Sequence, residues 1–229
     1  MRAAQRPAKV ASRQRSNLGR TTQFIVVRHG ETAWNAEGRI QGHLDSPLNE
    51  EGLAQAVLLA DRLSRQRFSR LYSSDLGRAL QTAQPISDKS GRAVHADARL
   101  RERNLGIFQG HTSAQCERRW PKHYAGFRSR DPEHVIPAGE SGRELYERVI
   151  DRFTALAREH PGERLVVVTH GGVLDALYRF VHGLPLELAR DFPIYNASVN
   201  QVHFDGARWS VERWGDISHL TRDAALDDF

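Results

Sequence analysis

Apolar residues along the chain fall into two kinds of pattern. Unbroken runs occur at Phe24-Ile-Val-Val27 and Leu165-Val-Val-Val168, the mark of strands buried on both faces. Elsewhere apolar positions recur at helical spacing. Leu53, Val57, Ala60 and Leu63 predict a helix from Asn49 to about Arg65, with Asn49 as cap and Glu50 and Glu51 in its first turn. Leu145, Val149, Phe153 and Leu156 predict a second, from Ser141 to Glu159, stopped by His160-Pro-Gly. Shorter signals give a strand at Arg70–Tyr72, a capping cluster Ser73-Ser74-Asp75, a helix from Leu76 to about Asp88, a weak strand at Ala93–Ala96 and a helix from Gly172 to Val181. Ser198–Phe204 and Arg208–Trp214, joined by Asp205-Gly206, read as a hairpin. Residues 97–140 show no period and are expected to be irregular. Strands alternating with helices predict a three-layer α/β/α sandwich, its sheet mostly parallel with one antiparallel strand near the end.

Both buried runs stop at the same dipeptide, His29-Gly30 and His170-Gly171, and Arg28 precedes the first. The carboxyl edge of a parallel sheet is where open α/β folds bind ligands, so two imidazoles delivered there predict a site. The glycine after each histidine is expected to let a ligand approach the backbone.

Length and composition narrow the reading. At 229 residues with 39% hydrophobic content, the chain suits one globular domain with a sizeable core. Its net charge of +5 is concentrated in a tail. Residues 1–20 hold Arg2, Arg6, Lys9, Arg13, Arg15 and Arg20 and no acid; removing those six from 33 basic residues leaves 27 against 28 acidic ones in residues 21–229. The expectation is a basic, disordered extension over residues 1–20, with a transit-peptide look as an alternative, followed by one domain over 21–229. A nucleic-acid partner would need a basic face on the fold itself. No apolar stretch is long enough for a membrane span. The one cysteine, Cys116, leaves no disulfide framework or cysteine-rich zinc site and points to a reducing, cytoplasmic setting.

Arg28-His29-Gly30-Glu31-Thr32 with Asn35 resembles the signature of the histidine phosphatase superfamily, the phosphoglycerate mutase-like family. The resemblance continues through Gln41-Gly42, Asp45-Ser-Pro-Leu48, Ser73 to Thr82, Leu100-Arg-Glu102, Gly139-Glu-Ser141 and His170-Gly171, and so covers Phe24 to Leu220. It implies a transient phosphohistidine on His29, later hydrolysed. Arg28, Asn35, Arg78 and His170 would hold the phosphate; Gln41, Gly42 and Gly171 would neighbour the substrate. No metal and no cofactor are implied. The residues themselves agree with this chemistry. Phosphoryl transfer is catalysed chiefly by positioning and charge stabilisation, and arginine grips phosphate oxygens bidentately at any relevant pH. Cations near His29 disfavour imidazolium, leaving Nε2 or Nδ1 free to attack phosphorus. In the acid-phosphatase branch an Asp follows the second histidine. Here Gly171 stands there, so the resemblance implies Glu102 as general acid and then base. Arg101 and Arg103 flank Glu102, and simple pairing with them is the competing reading.

The stretch 105–140, rich in arginine and aromatic residues, is expected to cap the site. It favours a small anionic phosphomonoester as partner, with monomer and homodimer both open. A cofactor-dependent phosphoglycerate mutase is the alternative, since it uses the same phosphohistidine. Such mutases carry Glu-Arg-His-Tyr-Gly and His-Gly-Asn, where this chain has Glu102-Arg-Asn104-Leu-Gly106 and His170-Gly-Gly172. A phosphate-binding module without turnover has no use for a nucleophile. His111, His123, His134, His203 and His219 lack metal-ligand spacing, Asn196-Ala-Ser198 fits the glycosylation pattern only formally, and Cys116 reads as structural.

Overall fold

A computed structural model describes residues 20–220; the basic stretch before Arg20 lies outside the described residues. Six strands form one sheet: β1 Thr22–Arg28, β2 Arg70–Ser73, β3 Val94–Ala96, β4 Arg164–Thr169, β5 Val199–Phe204 and β6 Trp209–Asp216, in the order β3-β2-β4-β1-β5-β6. Strands β1 to β4 pair in parallel, whereas β5 runs antiparallel to β1 and to β6. The hairpin turn is held by Asp205 Oδ1, which accepts from the backbone N–H groups of Ala207 and Arg208.

Alternation along the two apolar runs builds the layers. Phe24, Val26, Leu165 and Val167 face one way, against helices α6 Gly142–Glu159 and α7 Gly171–His182. Ile25, Val27, Val166 and Val168 face the other, against α2 Glu50–Ser64 and α3 Gly77–Ser90. Both faces are covered, which is why these strands read as continuous rather than alternating hydrophobicity. In α6 the stripe Leu145, Val149, Phe153 and Leu156 is buried as its spacing requires, and Ser141 and Glu144 close a capping box at its start.

Three local expectations are corrected. In α2, Leu53 and Val57 are about half exposed; the buried face is Gly52, Gln55, Ala56, Leu59, Ala60 and Leu63. That face is small and polar at its start because it meets backbone: a Cβ on Gly52 would strike the backbone of Glu31, and Gln55 Oε1 accepts from the N–H of Glu31 at 2.9 Å. The cap of α3 is not the Ser-Ser-Asp cluster. Asp45, over thirty residues earlier, takes the N–H groups of Gly77 and Arg78. Residues 97–140 are not wholly irregular either: they hold helices α4 Ser113–Arg119 and α5 Pro121–Arg128 and two 3₁₀ turns, one of them at Gly106–Phe108. These helices are too short to show a period. They close on their own small core of Phe108, Cys116 and Ile136, with Trp120, Tyr124 and Phe127 around it. The remaining helix is the single turn α1, Ala33–Ala36. Among the described residues no helix is long and apolar enough to cross a membrane.

Candidate active site

Pairing of β1 with β4 sets Phe24 opposite Leu165 and continues to Arg28 opposite Thr169. The two sequence phrases therefore lie side by side in register, and their histidines leave adjacent strands at the same level. Neighbouring strands are about 4.8 Å apart, and the ring centroids of His29 and His170 are 5.2 Å apart. The backbone N–H of His29 donates to Thr169 O at 2.9 Å, while its carbonyl accepts from Ala197 N and Asn196 Nδ2. Asn196 is fully buried in that contact, in keeping with a merely formal match to the glycosylation pattern.

His29 Nδ1 lies 2.7 Å from the carbonyl oxygen of Gly30. A carbonyl only accepts, so Nδ1 carries the proton and Nε2 the lone pair. Nε2 in turn accepts from Arg78 Nε at 3.3 Å. Burial is the main cause holding the imidazole well below its usual pKa, followed by the cations Arg78 and Arg28. His170, fully buried, is lowered the same way, by burial and then by Arg78, His29 and Arg28. Its Nε2 lies 2.7 Å from Ser74 Oγ, and its Nδ1 has no hydrogen-bond partner among the described residues.

Arg78 is fixed through its whole guanidinium. Nη2 donates to Gly42 O at 2.8 Å; Nη1 donates to Leu44 O at 3.0 Å and to Asp45 Oδ1 at 3.2 Å. Arg28 Nη1 donates to Ile194 O at 2.7 Å. Glu102 does not pair with its flanking arginines: Arg101 is bonded to Asp75, and the Arg103 guanidinium donates to the carbonyls of Glu140 and His134. Instead its carboxylate accepts the N–H of Gly172, at 3.1 and 3.0 Å to the two oxygens, and that of Arg103 at 2.7 Å.

A cavity of about 450 Å³ opens at this edge, and Arg28, His29, Asn35, Arg78 and Glu102 line it together. Asn35 is also the third residue of α1, where its side chain and that of Thr32 cap each other's backbone. Gln41 and Gly42 line the cavity too; Gln41 is buried and its Oε1 meets no partner among the described residues. Two expectations shift here. His170 packs against His29 and is not among the residues lining the cavity, and Gly172 lines it in place of Gly171, which begins α7 beneath the surface. Nor does Gly30 make room for a ligand: a Cβ there would meet the backbone of Gly52, so the residue serves packing between the β1 end and α2. Of the residues 105–140, Leu105, Ser113, Phe127, Arg128, Arg130, Asp131 and Pro132 reach the cavity, whereas Trp120 and Tyr124 support them from the small core.

Several contributors carried no expected role in the site. Ser74 contacts His170, and the loop after α7 supplies Leu186 and Arg190. That loop is tied down by Arg179, which pairs with Asp175 at 2.7 Å and donates to Pro185 O and Leu188 O. Among the described residues eight arginines line the cavity against three acids, Glu102, Asp131 and Asp175. Among the described residues no group of three His, Cys, Asp or Glu side chains is placed to hold a metal ion.

Comparison with known proteins agrees with this geometry. Residues 24–217 match the histidine phosphatase superfamily (branch 1). The chain is 46% identical over 202 residues to phosphoglycerate mutase-like protein 4 of Arabidopsis thaliana, covering 86% of each. It is 42% identical to a metal-independent phosphoserine phosphatase of the same plant, covering 87% of this chain and 84% of that one. Among solved structures, YhfR of Bacillus stearothermophilus superposes with a TM-score of 0.81 at 32% identity, over 86% of this chain and 98% of the other.

Proposed function

Because the chain belongs to the histidine phosphatase superfamily, we propose that it is a phosphomonoester hydrolase working through a phosphohistidine on His29, with Glu102 as general acid and then base. The observation that carries this reading is the state of one ring. His29 lines the cavity with its proton fixed on Nδ1 by Gly30 O, and its Nε2 lone pair is met only by a long contact of 3.3 Å from Arg78 Nε, which gives way when that guanidinium turns to the phosphate oxygens.

Nε2 attacks phosphorus while the bond from phosphorus to the ester oxygen breaks, and Glu102 gives its proton to the departing oxygen. Arg28, Arg78 and Asn35 hold the equatorial oxygens, where negative charge is spread. Water then attacks the phosphohistidine, Glu102 takes the water's proton, and the nitrogen–phosphorus bond breaks to release phosphate and restore Nε2. His170, its ring centroid 5.2 Å from that of His29 and its Nδ1 without a partner among the described residues, adds to the cradle for the phosphate. Residues 105–140 act as the cap over the bound ester, and the described residues from 21 to 220 work as one domain. The excess of arginines in the cavity supports a small substrate with a second anionic group. Likeness to a protein named a phosphoserine phosphatase supports the same choice.

A phosphomonoester panel on the parent and on His29→Ala tests the reading. Expected are turnover insensitive to EDTA, inhibition by vanadate, faster hydrolysis of carboxylated than neutral esters, and a loss of more than about 10³-fold in the variant. Preserved activity in His29→Ala would refute the nucleophile. The likeness to phosphoglycerate mutase-like protein 4 makes mutase the second reading. Faster phosphoglycerate interconversion than hydrolysis, when primed with bisphosphoglycerate, would establish it instead.

A further inference from the structure

Resting on the assignment of Glu102 to proton transfer, we propose that Arg148 and Glu140 are positioning residues for the reaction, a clamp that sets where the Glu102 carboxyl stands. The carboxylate is aimed by two backbone donors, Gly172 N and Arg103 N. Those donors fix only one end of the residue; the other end is its own backbone, in a segment between a 3₁₀ turn at Ala98–Leu100 and a second at Gly106–Phe108. Such a stretch has no ladder or helix to define it, so side chains must.

One guanidinium does this. Arg148 Nη1 donates to the carbonyls of Arg99 at 2.9 Å and Arg101 at 3.0 Å, and Nη2 donates to that of Glu102 at 3.3 Å. Three carbonyls within four residues converge on a planar fork, geometry that lysine could not reproduce. The Glu102 carbonyl takes a second donor, His43 Nε2, at 2.8 Å. Arg148 is itself held by Glu140, with Nη2 to Oε1 at 2.7 Å and Nε to Oε2 at 3.4 Å, and both side chains are about four-fifths buried.

Glu140 then reaches past Glu102 to its other side. Its Oε1 accepts from Asn104 N at 2.8 Å, and its own N–H donates to Asn104 O at 2.9 Å. The backbone is thus gripped on both flanks of Glu102, at 99–101 and at 104. Gly139 permits the approach, since a Cβ there would press on Asn104 O and Gly106 N. Ser141 starts α6, the helix that carries Arg148. Gly139-Glu-Ser141, a motif with no chemistry of its own, thereby acquires a role: it locks the segment of Glu102 to the helix that carries the clamp.

The test separates positioning from general support by leaving-group chemistry. A nitrophenolate departs without protonation, whereas an alkoxide requires the acid, and kcat/KM reports the step in which it leaves. The parent, Arg148→Met, Glu140→Gln and Glu102→Gln are compared on p-nitrophenyl phosphate and on 2-glycerol phosphate, with melting followed for each. Arg148→Met is expected to lose about 10- to 100-fold on the alkyl ester and under about 3-fold on the aryl ester, following the pattern of Glu102→Gln. Glu140→Gln should follow the same direction more weakly, because its amide oxygen still accepts from Asn104. Should Arg148→Met fail to fold, Glu140→Gln alone decides the matter. Equal losses on both esters, or none on either, overturn the clamp while Glu102→Gln still discriminates. If Glu102→Gln itself shows no discrimination, the acid assignment falls and the clamp with it, a separate and recognisable result.

Discussion

Replacing Arg78 with Met should separate three effects that its guanidinium combines. The side chain is almost entirely buried, and it supplies hydrogen bonds to Gly42 O, Leu44 O, Asp45 and His29 Nε2. Leaving a buried acceptor unsatisfied costs about 1–3 kcal/mol. Two carbonyls lose a donor here, and water entering from the cavity offsets part of that, so we expect a loss of about 2–4 kcal/mol in stability. The Asp45 ion pair adds under about 1 kcal/mol, because that carboxylate is 41% exposed. Removing one preorganised donor to the developing charge should lower kcat about 10²- to 10³-fold. The third effect has a sign. Arg78 is the second cause, after burial, that depresses the His29 pKa. Without that cation the ring binds a proton more readily at every pH, so the acid limb of kcat/KM should move up toward the ordinary imidazole value of 6.5. Arg78→Lys keeps a charge and loses the fork; it should restore the limb more than the rate. Urea unfolding and a pH–rate profile on p-nitrophenyl phosphate measure all three. A folded Arg78→Met enzyme with near-parental kcat, or an unmoved acid limb, would refute the electrostatic reading.

Gly172→Ala should damage catalysis with little change in fold, because the new Cβ would collide with the Glu102 carboxylate and press on Leu145; a drop under about 3-fold on alkyl phosphates would contradict the aiming role given to the Gly172 N–H. Stability should fall with acid. His29, His170 and His219 all have folded pKa values below the unfolded 6.5, that of His219 lowered to about 4 by burial first and Arg62 next. Below pH 6.5 the unfolded chain takes protons that the folded one refuses, so stability is present above 6.5 and is lost progressively as the pH falls through the folded values. Urea midpoints at pH 8, 6.5, 5 and 4 check this, and midpoints unchanged from pH 6.5 to 4 would contradict it.

Much of the fold is legible because the strands carry so much of it. A β-branched run covered on both faces has few alternatives, and the two runs announce their pairing by ending alike. The α2 stripe misleads for a definite reason. Leu53 and Val57 stand at helical spacing, but the helix turns its small residues inward so that Gly52 can lie against Glu31 and Gly30. Close approach of backbones leaves no apolar signal. The cap of α3 misleads likewise: Ser73-Ser74-Asp75 has the right composition, yet Ser74 contacts His170, Asp75 pairs with Arg101, and Asp45 supplies the cap from afar.

Charge read along the chain fails at Glu102 for a geometric reason. Arg101 has an extended, polyproline-like backbone, φ −61° and ψ 155°, and in such a chain of three residues per turn successive side chains leave in directions about 120° apart. Arginines one residue away therefore cannot readily fold back onto the carboxylate, and theirs are other partners. What adjacency does fix is the tautomer of His29. Its choice between Nδ1 and Nε2 is open in the sequence, yet the deciding acceptor is the carbonyl of the next residue, 2.7 Å from Nδ1. That carbonyl is aimed because Gly30 is itself pinned, its N–H donating to Thr82 Oγ1 at 3.0 Å and its missing Cβ letting Gly52 pack against it. The dipeptide that ends each strand thus has two different uses. At Gly30 the absent side chain brings α2 close and fixes a proton on His29. At Gly171 the dipeptide begins the helix whose next N–H aims Glu102. One repeated phrase holds the lone pair at one strand end and orients the carboxylate at the other.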